Sequence, residues 1–262
     1  MKIAIVGASG TIGRYVETAA RAAGHETLAM TRASGVDLST ATTASADSLA
    51  ERLAGVDAVI DVTSTGSLST AVAVSFFSTV TQNLLAAERR AGVPHHVALS
   101  IIGAAAADSG YYAGKAAQER EIMKSGDGWS LLRASQFHEF AQQSVARGTG
   151  VGIQLVPAMR SQPIAAAEVA AELLRIATAE PIGLAPDLAG PLQESMPDMV
   201  RRYLRSLGLR RPVLGVALPG AMGRAMRNGG LLPAPGTRLG QQSFQQWLEQ
   251  RAADRPPRHP QG

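Results

Sequence analysis

The chain has 262 residues, 45% of them hydrophobic, and 25 basic against 21 acidic side chains give a net charge of +4. That length and apolar share can fill the core of one large domain or one and a half, which excludes a disordered polymer. With no cysteine, a disulfide framework and a thiolate zinc site are excluded too.

Basic residues spread from Arg14 to Arg258 without a dense cluster, which argues against nucleic acid as the main partner. Met1-Lys2 runs directly into an apolar strand, with no charged leader and no uninterrupted apolar stretch of membrane-spanning length. The expectation is a cytoplasmic protein without a membrane partner.

In chain order, Ile3-Ala4-Ile5-Val6 reads as a buried strand. It leads without a spacer into Gly7-Ala8-Ser9-Gly10-Thr11-Ile12-Gly13, and Tyr15 to Ala23 then has helix-forming composition. Glycine suits the tight turn at Gly7, close approach to a pyrophosphate at Gly10, and helix–strand packing at Gly13. Phosphates would sit on the N–H groups and positive dipole end of the new helix. Such glycine spacing is weak by itself, but the strand before it and the helix after it supply the required context.

Further strands are expected at Glu26–Thr31, Val36–Leu38, Asp57–Val62, Val97–Ile101 and Trp129–Arg133. Helices are expected at Asp47–Leu53, Ala73–Ala91, Ala113–Lys124, Ile164–Ala179 and Ser243–Arg251. Gly24, Gly55, Gly92 and Gly126 stand just past four helix ends, where a left-handed residue is favoured. Strands alternating with helices of this length give right-handed crossovers and a parallel sheet. The fold class is therefore α/β, a Rossmann-type doubly wound parallel sheet. Pro181 to Gly236 is rich in Pro and Gly and reads as part of a smaller, irregular C-terminal cap. The expected organisation is a dinucleotide-binding domain over 1–135, a substrate cap over 136–252, and a disordered tail from Ala253.

The residue at the end of the second strand speaks to the cofactor. An NAD-selective fold carries Asp or Glu there for the ribose 2′-hydroxyl, whereas this chain has Thr31-Arg32. A guanidinium pairs with a 2′-phosphate that a carboxylate would repel, so NADP(H) is favoured over NAD(H). Arg14 is either a second cation for that phosphate or a solvated helix residue. Asp37 and Leu38 are expected beside the adenine, and Val62, Thr63 and Ser64 beside the middle of the cofactor.

Chemistry is expected from Tyr111 and Lys115, which lie four apart and so share a helix face. A lysine ammonium beside a phenol would lower the phenol's pKa, and the same lysine can hold the nicotinamide ribose. The chain has four tyrosines and three lysines (Lys2, Lys115 and Lys124), so this spacing is rare by chance. A surface Tyr–Lys pair is the alternative. Ser100, closing the fifth strand, is expected to reach a substrate carbonyl beside Tyr111. Ser135, Gln136, Phe137 and His138 follow the sixth strand, where ligands sit in parallel sheets. Ile101, Tyr111, Phe137 and His138 thus form the expected substrate pocket, although a lone histidine beside aromatics is also a packing residue. His95 and His96 read as structural, and no His–carboxylate set has metal-ligand spacing, so no metal is expected.

Taken together, Gly7-x-x-Gly10-x-x-Gly13, Thr31-Arg32, Val97–Ser100 and Tyr111-x-x-x-Lys115 resemble the short-chain dehydrogenase/reductase superfamily. Asn83–Ala87, Gly92–His96, Arg133–Phe137, Glu168–Ala170 and Ala189–Pro191 resemble its atypical NmrA-like NAD(P)H-binding branch. The resemblance spans roughly residues 1 to 250. It implies an NADPH-dependent oxidoreductase acting on a small carbonyl, quinone or enone-like molecule, with Tyr111 as proton donor, Lys115 as its partner and ribose ligand, and Ser100 as carbonyl orienter. The interval from Ser100 to Tyr111 is slightly shorter than in ordinary members. Two alternatives stay open: a non-catalytic NADP(H)-sensing regulator, and a sugar-type epimerase or dehydratase. The apolar faces of Ala73–Ala91 suit a helix-paired homodimer.

Overall fold

The computed structural model describes residues 1–40, 43–67, 69–106, 109–147 and 152–254. Its chain divides into two compact units: Met1–Ala134 with Ala166–Leu188 and Pro233–Arg238, and Ser135–Ala165 with Ala189–Leu232 and Leu239–Gly262. The first break falls one residue from the expected boundary. The assignment of everything from 136 to 252 to a cap is corrected, because the helix following 165 and the strand following it belong with the first unit.

The first unit is built on parallel strands β1 (Lys2–Val6), β2 (Glu26–Met30), β3 (Ala58–Asp61), β4 (His96–Ile101) and β5 (Trp129–Ala134), in the spatial order β2-β1-β3-β4-β5. β1, β3 and β4 are almost entirely buried, as the near-continuous apolar runs of a sheet covered on both faces require. Crossovers run through α1 (Thr11–Ala22), α2 (Thr43–Arg52), α3 (Thr70–Ala91) and α4 (Gly110–Met123). On one face α2 and α3 close over Ala4, Val6 and Val59, α3 through Val80 and Leu84, and α4 brings Ile122 against Leu85, Ala98 and Leu131. Gly24, Gly55, Gly92 and Gly126 all take the left-handed conformation, with φ of 79°, 70°, 70° and 100°.

No strand forms at Val36–Leu38, which corrects the expected third strand. Gly35 is left-handed at φ 79°, and the Asp37 carboxylate accepts from the Ser39 amide at 2.9 Å and from its hydroxyl at 2.6 Å. This local turn competes with an extended ladder, and one-turn helices at Arg32–Ser34 and Leu38–Thr40 take its place.

By length and composition α3 is apolar enough to span a bilayer. In this fold it packs on α4, with Phe77 and Leu84 fully buried, and Glu88 paired to His96. Gly114 makes that packing close. A methyl group there would lie 2.7 Å from the Phe77 ring and 2.9 Å from the Ala73 carbonyl.

In the second unit, α5 (Glu139–Arg147), β6 (Gln154–Pro157) and β7 (Arg160–Ser161) come first. The chain then returns to the first unit for α6 (Ala166–Ala177), which packs on α1, and for β8 (Gly183–Leu184), which pairs with β5. β9 (Leu188–Ala189) crosses the division, and β10 (Glu194–Ser195), α7 (Met196–Ser206), β11 (Val213–Val216) and α8 (Gly220–Asn228) resume the second unit. β12 (Arg238–Leu239) and α9 (Phe244–Ala253) complete the chain. The region expected to be irregular thus holds two helices, α7 and α8. α9 runs through Ala253, where the tail was expected to start, and the rest of that tail from 255 lies outside the described residues.

Because a side chain at Gly114 has no room against α3, Gly114→Ala should lose about 1–3 kcal/mol of stability, the usual cost of overpacking. Urea unfolding measures it, and parental stability would mean that α3 and α4 separate freely.

Candidate active site

The sheet order reverses between β1 and β3, and the loops leaving their carboxyl ends meet there. This is the place where open parallel sheets bind ligands. The turn after β1 is tight: Gly7 has φ 86°, and a methyl group on it would lie 3.0 Å from the Val62 carbonyl oxygen and 3.2 Å from the Thr63 amide nitrogen. At Gly13 a methyl group would lie 2.3 Å from the Gly7 carbonyl, so helix and loop approach as only glycine allows. Gly10 stands at the N-cap of α1 and supplies no side-chain hydrogen bond to its first turn. Thr63 Oγ1 is buried without a hydrogen-bond partner. A cradle closed to side chains, an uncapped helix start and an orphaned hydroxyl fit the pyrophosphate of a dinucleotide. Gly7, Ser9, Gly10, Thr11, Ile12 and Gly13 belong to the turn after β1 and the start of α1, and Val62, Thr63 and Ser64 follow β3, where Val62 and Thr63 meet Gly7.

Beyond β2, Thr31 and Ser34 exchange a reciprocal cap: the Ser34 amide donates to Thr31 Oγ1 at 3.1 Å, and the Thr31 amide donates to Ser34 Oγ at 2.9 Å. Arg32 opens the one-turn helix there and is exposed. Asp37 is exposed beside it, its carboxyl held below the usual range by the Ser39 hydrogen bonds and, less strongly, by Arg32. Leu38 is buried, and its carbonyl accepts from Asn83 at 2.9 Å.

Tyr111 and Lys115 share a face of α4, but they do not bond to each other. The Tyr111 hydroxyl lies 3.2 Å from Ser64 Oγ. Burial pushes the phenol above the usual tyrosine value; the Ser64 hydrogen bond opposes this, and Asp61 reinforces it. Lowering of the phenol's pKa by Lys115 is therefore corrected, and the phenol is neutral at ordinary pH. Lys115 is 3% exposed, and its ammonium donates to the Leu99 carbonyl at 2.8 Å, to Gln118 Oε1 at 2.7 Å and to the Thr63 carbonyl at 3.4 Å. Desolvation brings it down to about 8, with Asp61 and Glu119 pulling the other way. Phe77 touches both residues: its ring lies 4.4 Å from the ammonium and meets the Tyr111 ring edge-on at 5.5 Å.

Ser100 does not join the phenol. It sits opposite Arg133 in the β4–β5 register, and its hydroxyl donates to Glu119 at 2.6 Å, two helical turns beyond Tyr111. Arg133 grips the same carboxylate at 2.9 and 2.6 Å. The hydroxyl beside the phenol is that of Ser64. The residues unread in the sequence are Asp61, Phe77, Gln118 and Glu119. A carboxylate closing the otherwise apolar strand Ala58-Val59-Ile60-Asp61 was the available signal, because a fully buried charge needs internal partners.

Ile101 ends β4 half-buried and pairs with Ala134. His95 bonds Ser130 at 2.8 Å, and His96 lies 2.9 Å from Glu88, both buried. Within the second unit, Ser135 donates to the Gln162 carbonyl at 2.6 Å, the Gln136 carbonyl accepts from Ile164, and Phe137 bridges to Ile164. His138 is 1% exposed, with Nε2 at 2.9 Å from the Gln242 carbonyl and its ring against Phe244 and Trp247. That is the setting of a packed, hydrogen-bonded histidine.

A family model described as NAD(P)H-binding matches residues 7–180, while no curated protein matches the chain. The fold is similar to that of an NADPH-dependent quinone oxidoreductase from Escherichia coli complexed with NADPH, at TM-score 0.67 and 17% identity over 95% of this chain and 99% of that one. It is similar to UDP-N-acetylglucosamine 4-epimerase from Bacillus cereus, at TM-score 0.66 and 16% identity over 97% and 98% of the two chains. A short-chain dehydrogenase/reductase superfamily protein from Agrobacterium tumefaciens with bound NAD gives TM-score 0.66 and 17% identity over 97% and 96%. At such identities the likeness shows a shared Rossmann-like fold. The match over residues 7–180 takes in the glycine loop, both loops at the sheet reversal and α4, and by it the chain belongs to the NAD(P)H-binding family.

Proposed function

We propose that the chain is an NADPH-dependent oxidoreductase of the short-chain dehydrogenase/reductase type, in its NmrA-like branch, that reduces a small carbonyl, quinone or enone-like substrate. The observation that carries this reading is the neutral Tyr111 hydroxyl held by Ser64 at the carboxyl end of β3, with Lys115 one turn along α4. A bound NADPH supplies the hydride. Gly7 to Gly13 hold its pyrophosphate, and Arg32 pairs with its 2′-phosphate. Tyr111 would give its single proton to the substrate oxygen, and Ser64, as a donor to the phenol oxygen, would steady the phenolate left behind. Lys115 keeps only its long contact to the Thr63 carbonyl weakly engaged, so that donor is the one available to a ribose hydroxyl.

A phenol above its usual pKa is a weaker acid than free tyrosine but carries its proton at ordinary pH, the state from which it can donate and not abstract. This favours reduction over the epimerase chemistry named for one structural neighbour.

Replacing Arg32 by Ala should abolish a preference for NADPH over NADH of at least about tenfold, the scale of one charge-assisted contact. Calorimetric titration with both cofactors measures this; equal affinities in the parent would refute the 2′-phosphate assignment. Tyr111→Phe should slow turnover by ~10²-fold or more while leaving NADPH affinity near the parent's. Ser64→Ala should lower kcat more than Ser100→Ala does, whereas Ser100→Ala should cost ~1 kcal/mol of stability through its lost bond to Glu119. Steady-state rates on a substrate found by a carbonyl and quinone screen decide these. Full turnover by Tyr111→Phe would remove the phenol from the chemistry and leave a reductase that relies on hydride proximity alone, whereas no turnover on any substrate would give first place to a cofactor sensor.

A further inference from the structure

Asp61 has no exposed surface, yet each carboxylate oxygen is met: Oδ1 accepts from the Thr63 amide at 2.8 Å and Oδ2 from Gln118 Nε2 at 2.7 Å. Gln118 is equally buried, and its other end, Oε1, accepts from Lys115 at 2.7 Å. One carboxylate thus fixes the turn that carries Ser64 and, through one amide, the direction of the lysine ammonium. We propose that Asp61, acting through Gln118, is the positioning residue that aims Lys115 at the carboxyl ends of β3 and β4, in place of a contact with Tyr111. Its consequence for turnover rests on the oxidoreductase reading above; the positioning itself does not.

The amide has a defined polarity. Its NH2 group must face Asp61 for its oxygen to face Lys115, so reversing the charge pattern has a predictable result. In Asp61→Asn, the new amide can present its NH2 to Gln118 only if Gln118 turns, which would point the Gln118 NH2 at the ammonium. In the other orientation Gln118 keeps its place, but the introduced NH2 meets the Thr63 N–H, so the link to the turn is lost, and in both orientations the negative charge is gone. In Asp61→Asn/Gln118→Glu, every bond returns: the introduced asparagine accepts from the Thr63 amide and donates to the introduced glutamate, which in turn accepts from Lys115. The negative charge then lies directly against the ammonium.

The readout is the proton on Lys115. The charges facing it are Asp61 from β3 and Glu119 from α4 itself, with the aromatic rings of Phe77 and Tyr111 as uncharged neighbours. The buried His96–Glu88 pair, from β4 and α3, also interacts electrostatically with Asp61. Lys115 loses its proton at about 8 in the fold and at the ordinary lysine value of 10.5 when unfolded. The unfolded chain therefore binds more protons between those values, and stability rises with pH across that window. Below it the cost of burying the charge is fully present.

The experiment is denaturant unfolding of the cofactor-free protein from about pH 6 to 10.5, spanning the window between the two values, each variant compared with its own Lys115→Met partner so that other groups cancel. The parent should show the rise opening near 8. Asp61→Asn should open it at least about one pH unit lower, and the double variant should move it back to the parent's position or higher. With a substrate in hand, kcat should fall at least about tenfold in Asp61→Asn and recover at least about half in the double variant, with KM for NADPH following the same order. An unmoved window in Asp61→Asn, or a folded double variant left at the single variant's values, would overturn the proposal. Should Asp61→Asn not fold, Gln118→Met takes its place. It removes the ammonium's acceptor and should lower the window, and an unmoved window would be equally fatal. If no substrate is found the oxidoreductase reading fails, and if Tyr111→Phe keeps its turnover the proton-donor role of Tyr111 fails, while in both cases the unfolding window still judges the relay.

Discussion

A buried carboxylate is the constraint around which the site of the first unit is arranged. Asp61 closes β3 with no access to water, where an unpaired charge would be far too costly to keep. Its partners come from two directions, the Thr63 amide just beyond the strand and Gln118 on the crossover helix α4. Both must be present at once, so β3 and α4 are registered to within a hydrogen bond. That registration places Ser64 beside Tyr111 and Lys115 beside the Leu99 carbonyl. Gly114 serves the same end, because α4 reaches this depth only where α3 meets a residue without a side chain.

The lysine carries the energetic burden of the arrangement. Its ammonium gives up water for two short hydrogen bonds, one long one and the face of Phe77, and desolvation still outweighs the two nearby carboxylates. A site that stabilised only the cofactor-free fold would place an apolar residue here, as buried ion networks are often improved by apolar replacement. Keeping a charge in so costly a place is consistent with a use for it, and the weakly engaged third donor is where that use has room.

The parts legible from sequence were those set by local rules. Strand, glycine loop and helix over residues 2–22 follow from an apolar run and glycine spacing, and four helix ends follow from single glycines. Val36–Leu38 failed because three residues of strand-like composition were outweighed by a left-handed Gly35 and by an Asp37 side chain that turns back on Ser39. α7 was hidden by the surrounding Pro and Gly, although Pro197 in its first turn is a normal helix starter. Ser100 was chosen from its place at the end of a strand, but which face it takes depends on register. Alternation puts it with Arg133 towards Glu119, a contact between β4, β5 and α4 that no local pattern in the sequence encodes.

Tyr111 and Lys115 show most clearly what spacing leaves open. Four residues apart, they lie on the same helix face, and the sequence supports electrostatic coupling between them. The fold instead gives each a separate partner: Ser64 for the phenol, and Gln118 with the Leu99 carbonyl for the ammonium. Both pKa shifts then follow from burial, the phenol moving up and the ammonium down, each towards its neutral form. A charged pair would have shifted both groups towards ionisation. Burial has made the first unit's site one in which the tyrosine holds its proton firmly and the lysine holds its own loosely, while the Asp61 and Glu119 carboxylates both pull the lysine back towards its charged form.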